Sequence, residues 1–197
     1  VWRFITVWIV LLVLLAGCVV VQIEGLSGPY QTIQPVPGGT YTEGVLGTFT
    51  NANPMYATSE VDSTVSRLIF SGLLKYNDQN QLVPDLARSW SVDEKGTTYT
   101  VHLRPNLTWQ DGQPLTAADV VFTYQAIQNP DAQSPLAASW QGIQITKVDS
   151  YTINFTLPNP LSSFPYNLTT GIVPEHLLAS MPAADLRSAN FDTVSPV

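Results

Sequence analysis

The stretch from Arg67 to Tyr124 reads RLIFSGLLKYNDQNQLVPDLARSWSVDEKGTTYTVHLRPNLTWQDGQPLTAADVVFTY. Its order of signals decides the fold. An amphipathic helix comes to its stop at Gly72, a position that suits a left-handed C′ residue. Leu73–Tyr76 and Gln81–Val83 then flank Asn77-Asp78-Gln79-Asn80 and predict a hairpin. Arg88–Val92 and Thr97–Leu103 flank Asp93-Glu94-Lys95-Gly96 and predict a second, with Gly96 supplying the positive φ. Within the later strand Tyr99, Val101 and Leu103 alternate with Thr98, Thr100 and His102, so one face is buried and the other is not. Trp109-Gln110-Asp111-Gly112 forms a tight turn. Thr116-Ala117-Ala118-Asp119 then resembles a capping box, with Asp where Glu or Gln is usual. The helix it opens runs to about Gln128 and ends at Asn129-Pro130.

Upstream, Val61, Val65, Leu68 and Ile69 fall at i, i+4, i+7 and i+8 and draw one apolar stripe along the first helix. Ser59 is its N-cap, with Glu60 and Asp62 at the positive end of the dipole. Asn51 to Pro54 is loop, and Thr40–Leu46 is rich in strand formers. Downstream, Gly142–Val148 and Tyr151–Leu157 make a third hairpin through Asp149-Ser150, closed by Pro158 and Pro160. A short Phe164–Leu168 piece follows, then extended Gly171-Ile172-Val173 and a helix with Pro174 at N1. Hairpins with interspersed helices predict an α+β (mixed α/β) architecture with mainly antiparallel sheets.

The 197 residues are 45% hydrophobic and 12% charged, which suits a core-forming chain. A net charge of −7 excludes a phosphate-binding surface, so nucleic acid is not a partner. Residues 1–18 read as a signal segment: Arg3 precedes an apolar run, and Leu15-Ala16-Gly17-Cys18 resembles a lipobox. That resemblance implies lipidation of Cys18 and a membrane anchor. An uncut anchor is the other reading, because Phe4 to Val21 holds 18 residues without a formal charge. Residues 19–37, with Gly25, Gly28, Pro29, Pro35 and Pro37, form a tether. The first residue is not Met and the chain stops at Ser195-Pro196-Val197 without a closing element, which reads as a fragment.

Signals for chemistry are sparse. The sequence has no Gly-rich phosphate loop and no Gly-x-Ser-x-Gly elbow. Two histidines and one cysteine do not give zinc spacing, so no metal and no cofactor are expected. His102 reads as a half-exposed surface residue, and Glu175-His176 as a first-turn pair. The aspartates fall at turns and caps. Trp109 and Trp90 read as core anchors. Trp140, beside Ala137, Ala138 and Ser139, has two readings: a core ring or a cleft-facing ring that stacks on a ligand.

Several segments together resemble one family. Gly39-Thr40-Tyr41-Thr42-Glu43-Gly44, Asn53-Pro54, Leu68 to Tyr76, Leu82 to Trp90 and Tyr99 to Arg104 occur in order. The Trp109–Gly112 turn with Pro114 to Phe122 completes the set. This order resembles the bacterial extracellular solute-binding proteins of family 5, the peptide- and nickel-type receptors of ABC importers. The resemblance implies part of lobe I of a two-lobe, type II periplasmic-binding-protein-like fold. It divides the chain into a first segment (38–80), a small subdomain (81–165) and a return segment (166–197), with the second lobe absent. It implies a monomeric, non-enzymatic subunit that captures oligopeptides or a related small solute outside the cytoplasmic membrane and passes them to permease and ATPase subunits. Thr58, Ser59 and Glu60 then border the ligand, as does Trp140 through the Ser-Pro-x-x-x-x-aromatic stretch. A secreted, membrane-anchored hydrolase and a non-binding structural β-domain are the competing readings.

Overall fold

The computed structural model describes residues 38–189 apart from Tyr41, together with Trp2, Trp8 and Leu14. Cys18, the lipobox, the 19–37 tether and Asn190 onward lie outside the described residues. Packing separates Val1–Glu43 from the unit Gly44–Val197, and all that follows concerns the second unit.

Helix α1 (Glu60–Ile69) leads into β1 (Leu74–Tyr76) and β2 (Leu82–Pro84), the first hairpin. Strands β3 (Ala87–Val92) and β4 (Thr98–Leu103) form the second, with Gly96 at φ 71°. Helix α2 (Ala117–Gln128) and the short α3 (Ala137–Trp140) precede β5 (Gln144–Asp149) and β6 (Thr152–Thr156). A 3-10 segment (Phe164–Thr169), α4 (Glu175–Leu178) and a second 3-10 segment (Ala183–Ser188) follow.

The larger sheet has the order β3-β4-β6-β5, all antiparallel. Joining the two hairpins through β4 and β6 is a long-range pairing that local turn signals cannot specify. Tyr99 and Val101 oppose Phe155 and Ile153 in that ladder. All four are buried, so the alternation seen in each strand becomes one continuous apolar face. Helix α2 packs on it through Val120, Tyr124 and Ile127, spaced at i, i+4 and i+7.

Four expectations differ from the structure. Thr42–Leu46 forms no strand, because among the described residues nothing pairs with it and residues 42–50 are exposed. A single extended segment without a ladder gains no cross-strand stabilisation. Pro174 is the N-cap of α4 rather than its first residue. Helix α1 stops at Phe70, whose N–H donates to the Ser66 carbonyl, so Gly72 is not its C′ residue.

Gly72 instead bridges Gly171. A Cβ on Gly171 would lie 2.7 Å from Phe70 Cβ and 3.0 Å from Pro54 Cβ, and one on Gly72 would lie 2.7 Å from the Thr169 carbonyl oxygen. Two glycines thus let the 169–171 segment lie directly against the end of α1. Gly171→Ala should cost about 1–3 kcal/mol through overpacking, read as a shift of the urea midpoint with unchanged slope.

The face that α1 buries is also not the predicted one. Asp62 and Ser66 point inward, whereas Val61, Val65 and Ile69 are only half-buried and Leu68 is 83% exposed. The cause is Asp62. Its Oδ1 accepts from the backbone N–H groups of Thr50 (2.7 Å) and Asn51 (3.2 Å), and its Oδ2 takes the Thr50 hydroxyl. A carboxylate with that many donors fixes the helix's rotation more strongly than a half-buried valine does.

Burial raises the Asp62 pKa, but the hydrogen bonds from Thr50, Asn51 and Ser59 outweigh it and the net shift is downward. A lowered folded-state pKa stabilises the fold above the unfolded carboxylate's pKa, and that stability is lost as pH falls through the folded value. Asp62→Asn should therefore be destabilised at about pH 7, with the gap to the wild type closing as pH falls below about 4. Urea titrations at several pH values check this, and a gap that widens on acidification would contradict it.

Candidate functional site

The segment before α1 is held rigidly. Asn53 is buried: its Oδ1 accepts from Met55 N–H and its amide donates to the Leu186 carbonyl. The Tyr56 hydroxyl donates to the Ala132 carbonyl (2.8 Å), and Arg187 lies over the Tyr56 ring at 4.9 Å. Burial pushes the Tyr56 pKa up, against the opposing influence of Arg187, so this hydroxyl remains a donor. Pinned on both sides, the chain sets buried Pro54 and half-buried Ala57 beside α1.

There they meet residues from three other places. Ser63, Ser66 and Arg67 come from α1, Leu136 from the turn before α3, and Thr169, Thr170 and Gly171 from the return segment. Together they enclose a groove of about 120 Å³. Its hydroxyls are largely committed. Ser63 donates to the Ala57 carbonyl, Thr169 to that of Tyr166 and Thr170 to that of Asn167. Among the described residues no carboxylate lines the groove, and Arg67 is the charged residue in its wall.

Thr58, Ser59 and Glu60 are exposed and are not among the groove's lining residues, although they lie in sequence between two that are, Ala57 and Ser63. The Ser59 hydroxyl accepts from Asp62 N–H (3.0 Å), so it serves as the N-cap. The backbone of Thr58 makes no hydrogen bond among the described residues.

Trp140 is placed elsewhere. It is 1% exposed and stacks on Tyr124 at 3.9 Å, with Phe164 edge-on at 5.8 Å and Phe155 at 6.0 Å. Of the two readings of this ring, the structure shows the core ring, and a ligand cannot stack on it in this arrangement. The stretch it belongs to does border the groove, but through Leu136. Ser134 fixes that approach by donating to the Met55 carbonyl (2.6 Å). Leu136, Ser66, Arg67 and Thr169 to Gly171 were not anticipated. Arg67 and Ser66 carried a signal, as polar residues on one side of a helix end, whereas the return segment's approach depends on the Gly72–Gly171 bridge.

The other singled-out residues build scaffold. Asp119, 4% exposed, accepts from Thr116 N–H (2.8 Å) through Oδ2, which completes the capping box despite its shorter reach. Its Oδ1 accepts from Trp109 Nε1 (3.2 Å) and Glu175 N–H (3.0 Å). Trp109 is accordingly a buried anchor, while Trp90 is only partly buried against the core. His176 Nε2 lies 2.7 Å from Asp111 Oδ2, tying α4 to the 109–112 turn. The Gln113 N–H and then His176 hold the Asp111 pKa below its usual range. His102 is half-exposed and meets the Thr152 hydroxyl at 3.2 Å. Among the described residues, no three His, Cys, Asp or Glu side chains could hold a metal ion, and no helix is long and apolar enough to cross a membrane.

This arrangement of sheet, capped helix and Trp-pinned turn can be compared with known proteins. The family described as "Bacterial extracellular solute-binding proteins, family 5 Middle" matches residues 81–193, more than half of the chain. The chain belongs to this family. The oligopeptide-binding protein AppA of Bacillus subtilis is 27% identical over 98% of the chain and 36% of its own length. The periplasmic murein peptide-binding protein MppA of Escherichia coli is 34% identical over 59% of the chain and 25% of its own length. Among solved structures, B. subtilis AppA with a nonapeptide superposes with a TM-score of 0.71 at 28% identity, covering 75% of this chain and 30% of AppA. NikZ of Campylobacter jejuni with Ni(L-His) gives 0.67 at 32% identity, covering 74% and 29%. The chain thus spans about a third of the length of these family 5 relatives. Its mixed α/β fold is part of a type II periplasmic-binding-protein fold.

Proposed function

We propose that this family 5 chain is the lobe I wall of a substrate-binding subunit of an ABC importer. It captures oligopeptides or a related small solute outside the cytoplasmic membrane and delivers them to the permease and ATPase subunits. The observation that carries this reading is the groove between α1 and the 169–171 segment. It is built by a glycine–glycine bridge, lined by hydroxyls, and adjoined in sequence by the exposed residues Thr58 to Glu60.

At about 120 Å³ the groove is smaller than the roughly 300–1,000 Å³ of ordinary ligand pockets. That suits one wall of a site whose other wall belongs to a second lobe. Closure would then be a hinge equilibrium that the ligand biases by touching both walls in the closed state only. Residues 38–80, 81–165 and 166–197 serve as first segment, small subdomain and return segment. Cys18 carries the lipid that keeps the monomeric receptor at the membrane.

A thermal-shift series on the full-length protein with di- to pentapeptides tests the peptide assignment. The expected result is a rise in Tm of several degrees at ligand concentrations well above Kd. No shift with any peptide, alongside a clear shift with another solute class, would contradict it.

A further inference from the structure

Within the proposed ligand groove, we infer that Arg67, assisted by Ser66, receives a carboxylate of the bound solute and so determines specificity. The inference rests on the groove being the ligand wall, and it adds which end of the ligand goes where.

The first observation is charge. The chain carries 15 acidic against 8 basic residues, yet among the described residues no acidic side chain lines this groove and Arg67 does. The Arg67 guanidinium has neither ion pair nor hydrogen bond among the described residues. Lys75, on the hollow that Arg67 also borders, is already paired with Asp85 at 2.9 Å. Arg67 is therefore the cation left to offer a planar, two-pronged donor set to a carboxylate.

The second observation is independent of charge. Ser66 lines the same groove, and its hydroxyl, which keeps access to solvent, has no protein partner among the described residues. A hydroxyl not committed to a protein acceptor keeps its proton to donate to a ligand acceptor. Ser63, Thr169 and Thr170 differ, because their hydroxyl protons already go to backbone carbonyls. They present lone pairs to the groove and suit N–H donors, not an anion. The groove is thus polarised, with ligand N–H groups toward Thr169 and Thr170 and a carboxylate toward Ser66 and Arg67. A volume of about 120 Å³ leaves room for a carboxylate with its flanking carbon.

A cation in the last turn of α1 also complements the helix dipole, a purely structural role that Lys would keep. The test separates the two. Calorimetric titrations on the full-length protein would use a neutral tripeptide with a free C-terminal carboxylate, its C-terminal amide, and the amide bearing one Asp side chain. Wild type should bind the free acid at least about tenfold more tightly than the neutral amide. Arg67→Gln should erase that ratio and lower the Tm slightly through the lost dipole interaction, and Arg67→Lys should keep the Tm and retain part of the ratio. If the Asp-bearing amide matches the free acid, a side-chain carboxylate is accepted. If it matches the neutral amide, the terminal carboxylate is the group received. Equal affinities for acid and amide in the wild type, or a ratio that survives Arg67→Gln, would overturn the assignment and leave the receptor function standing. Binding of none of these peptides would overturn both.

Discussion

Replacing Trp140 by Ala is expected to lower the unfolding free energy by about 3–5 kcal/mol, the range for removing a large aromatic from a packed core. The ring lies at the centre of a cluster with Tyr124, Phe155 and Phe164, whose centroids all lie within 6.0 Å of it. Tyr124 loses most, because its ring stacks directly on the indole. Its own hydroxyl is buried without a partner, and burial drives its pKa far above the usual value. Exposing that side of the cluster would also let water reach the hydroxyl, which offsets part of the loss. Trp140→Phe should be milder, at about 1–3 kcal/mol, since part of the ring area is kept. In the full-length protein Trp140→Phe should leave ligand affinity within about twofold of the wild type. Stability is read by urea denaturation and affinity by calorimetry. A large loss of affinity with little loss of stability would return Trp140 to the ligand.

Asp119→Ala is expected to cost a comparable amount, about 3–4 kcal/mol, by removing a buried carboxylate that accepts from three donors. Hydrogen bonds to charged groups contribute about 1.5–3 kcal/mol each, and donors left unpaired add a penalty. They are not additive here, because Thr116 N–H stands at a helix start where water can replace the acceptor. The Trp109 indole N–H and the Glu175 N–H are held in the interior and near α4, where replacement is harder. Asp119→Asn should recover roughly half, since one amide oxygen remains to accept while the amide nitrogen faces a donor. The second readout is local. The 109–112 turn and α4 should lose hydrogen-exchange protection before the larger sheet does. Equal loss across the sheet would contradict the view that Asp119 joins separate segments.

These two residues show where the sequence was legible. Asp119 was readable as a cap because a capping box is a local, four-residue pattern. That its second oxygen also holds Trp109 and Glu175 depends on contacts 10 and 56 residues away, for which spacing gives no signal. The three hairpins were legible for the same local reason, through turn residues and strict alternation. How the second and third hairpins join was not. The stripe of α1 was read at the right period and assigned the wrong face, because Asp62's acceptors meet donors at Thr50 and Asn51 in an irregular loop.

The site was only half legible. Thr58 to Glu60, which the family resemblance implies, adjoin the groove in sequence without lining it, and part of its wall comes from Thr169 to Gly171, far along the chain. Trp140 was attractive because small residues surround it in sequence. In space those residues let α3 approach α2, which puts the indole against Tyr124. Leu136, four residues earlier, takes the groove position instead.

The central claim is that α1 and the 169–171 segment form the ligand wall. Hydrogen–deuterium exchange on the full-length protein, with and without a saturating peptide identified by thermal shift, tests it most directly. Added protection is expected at 57–67 and 169–171, with none at the far end of the sheet around His102 and Asp149. Protection confined to that far end, or none at 57–67 and 169–171 while binding is measured, would contradict it.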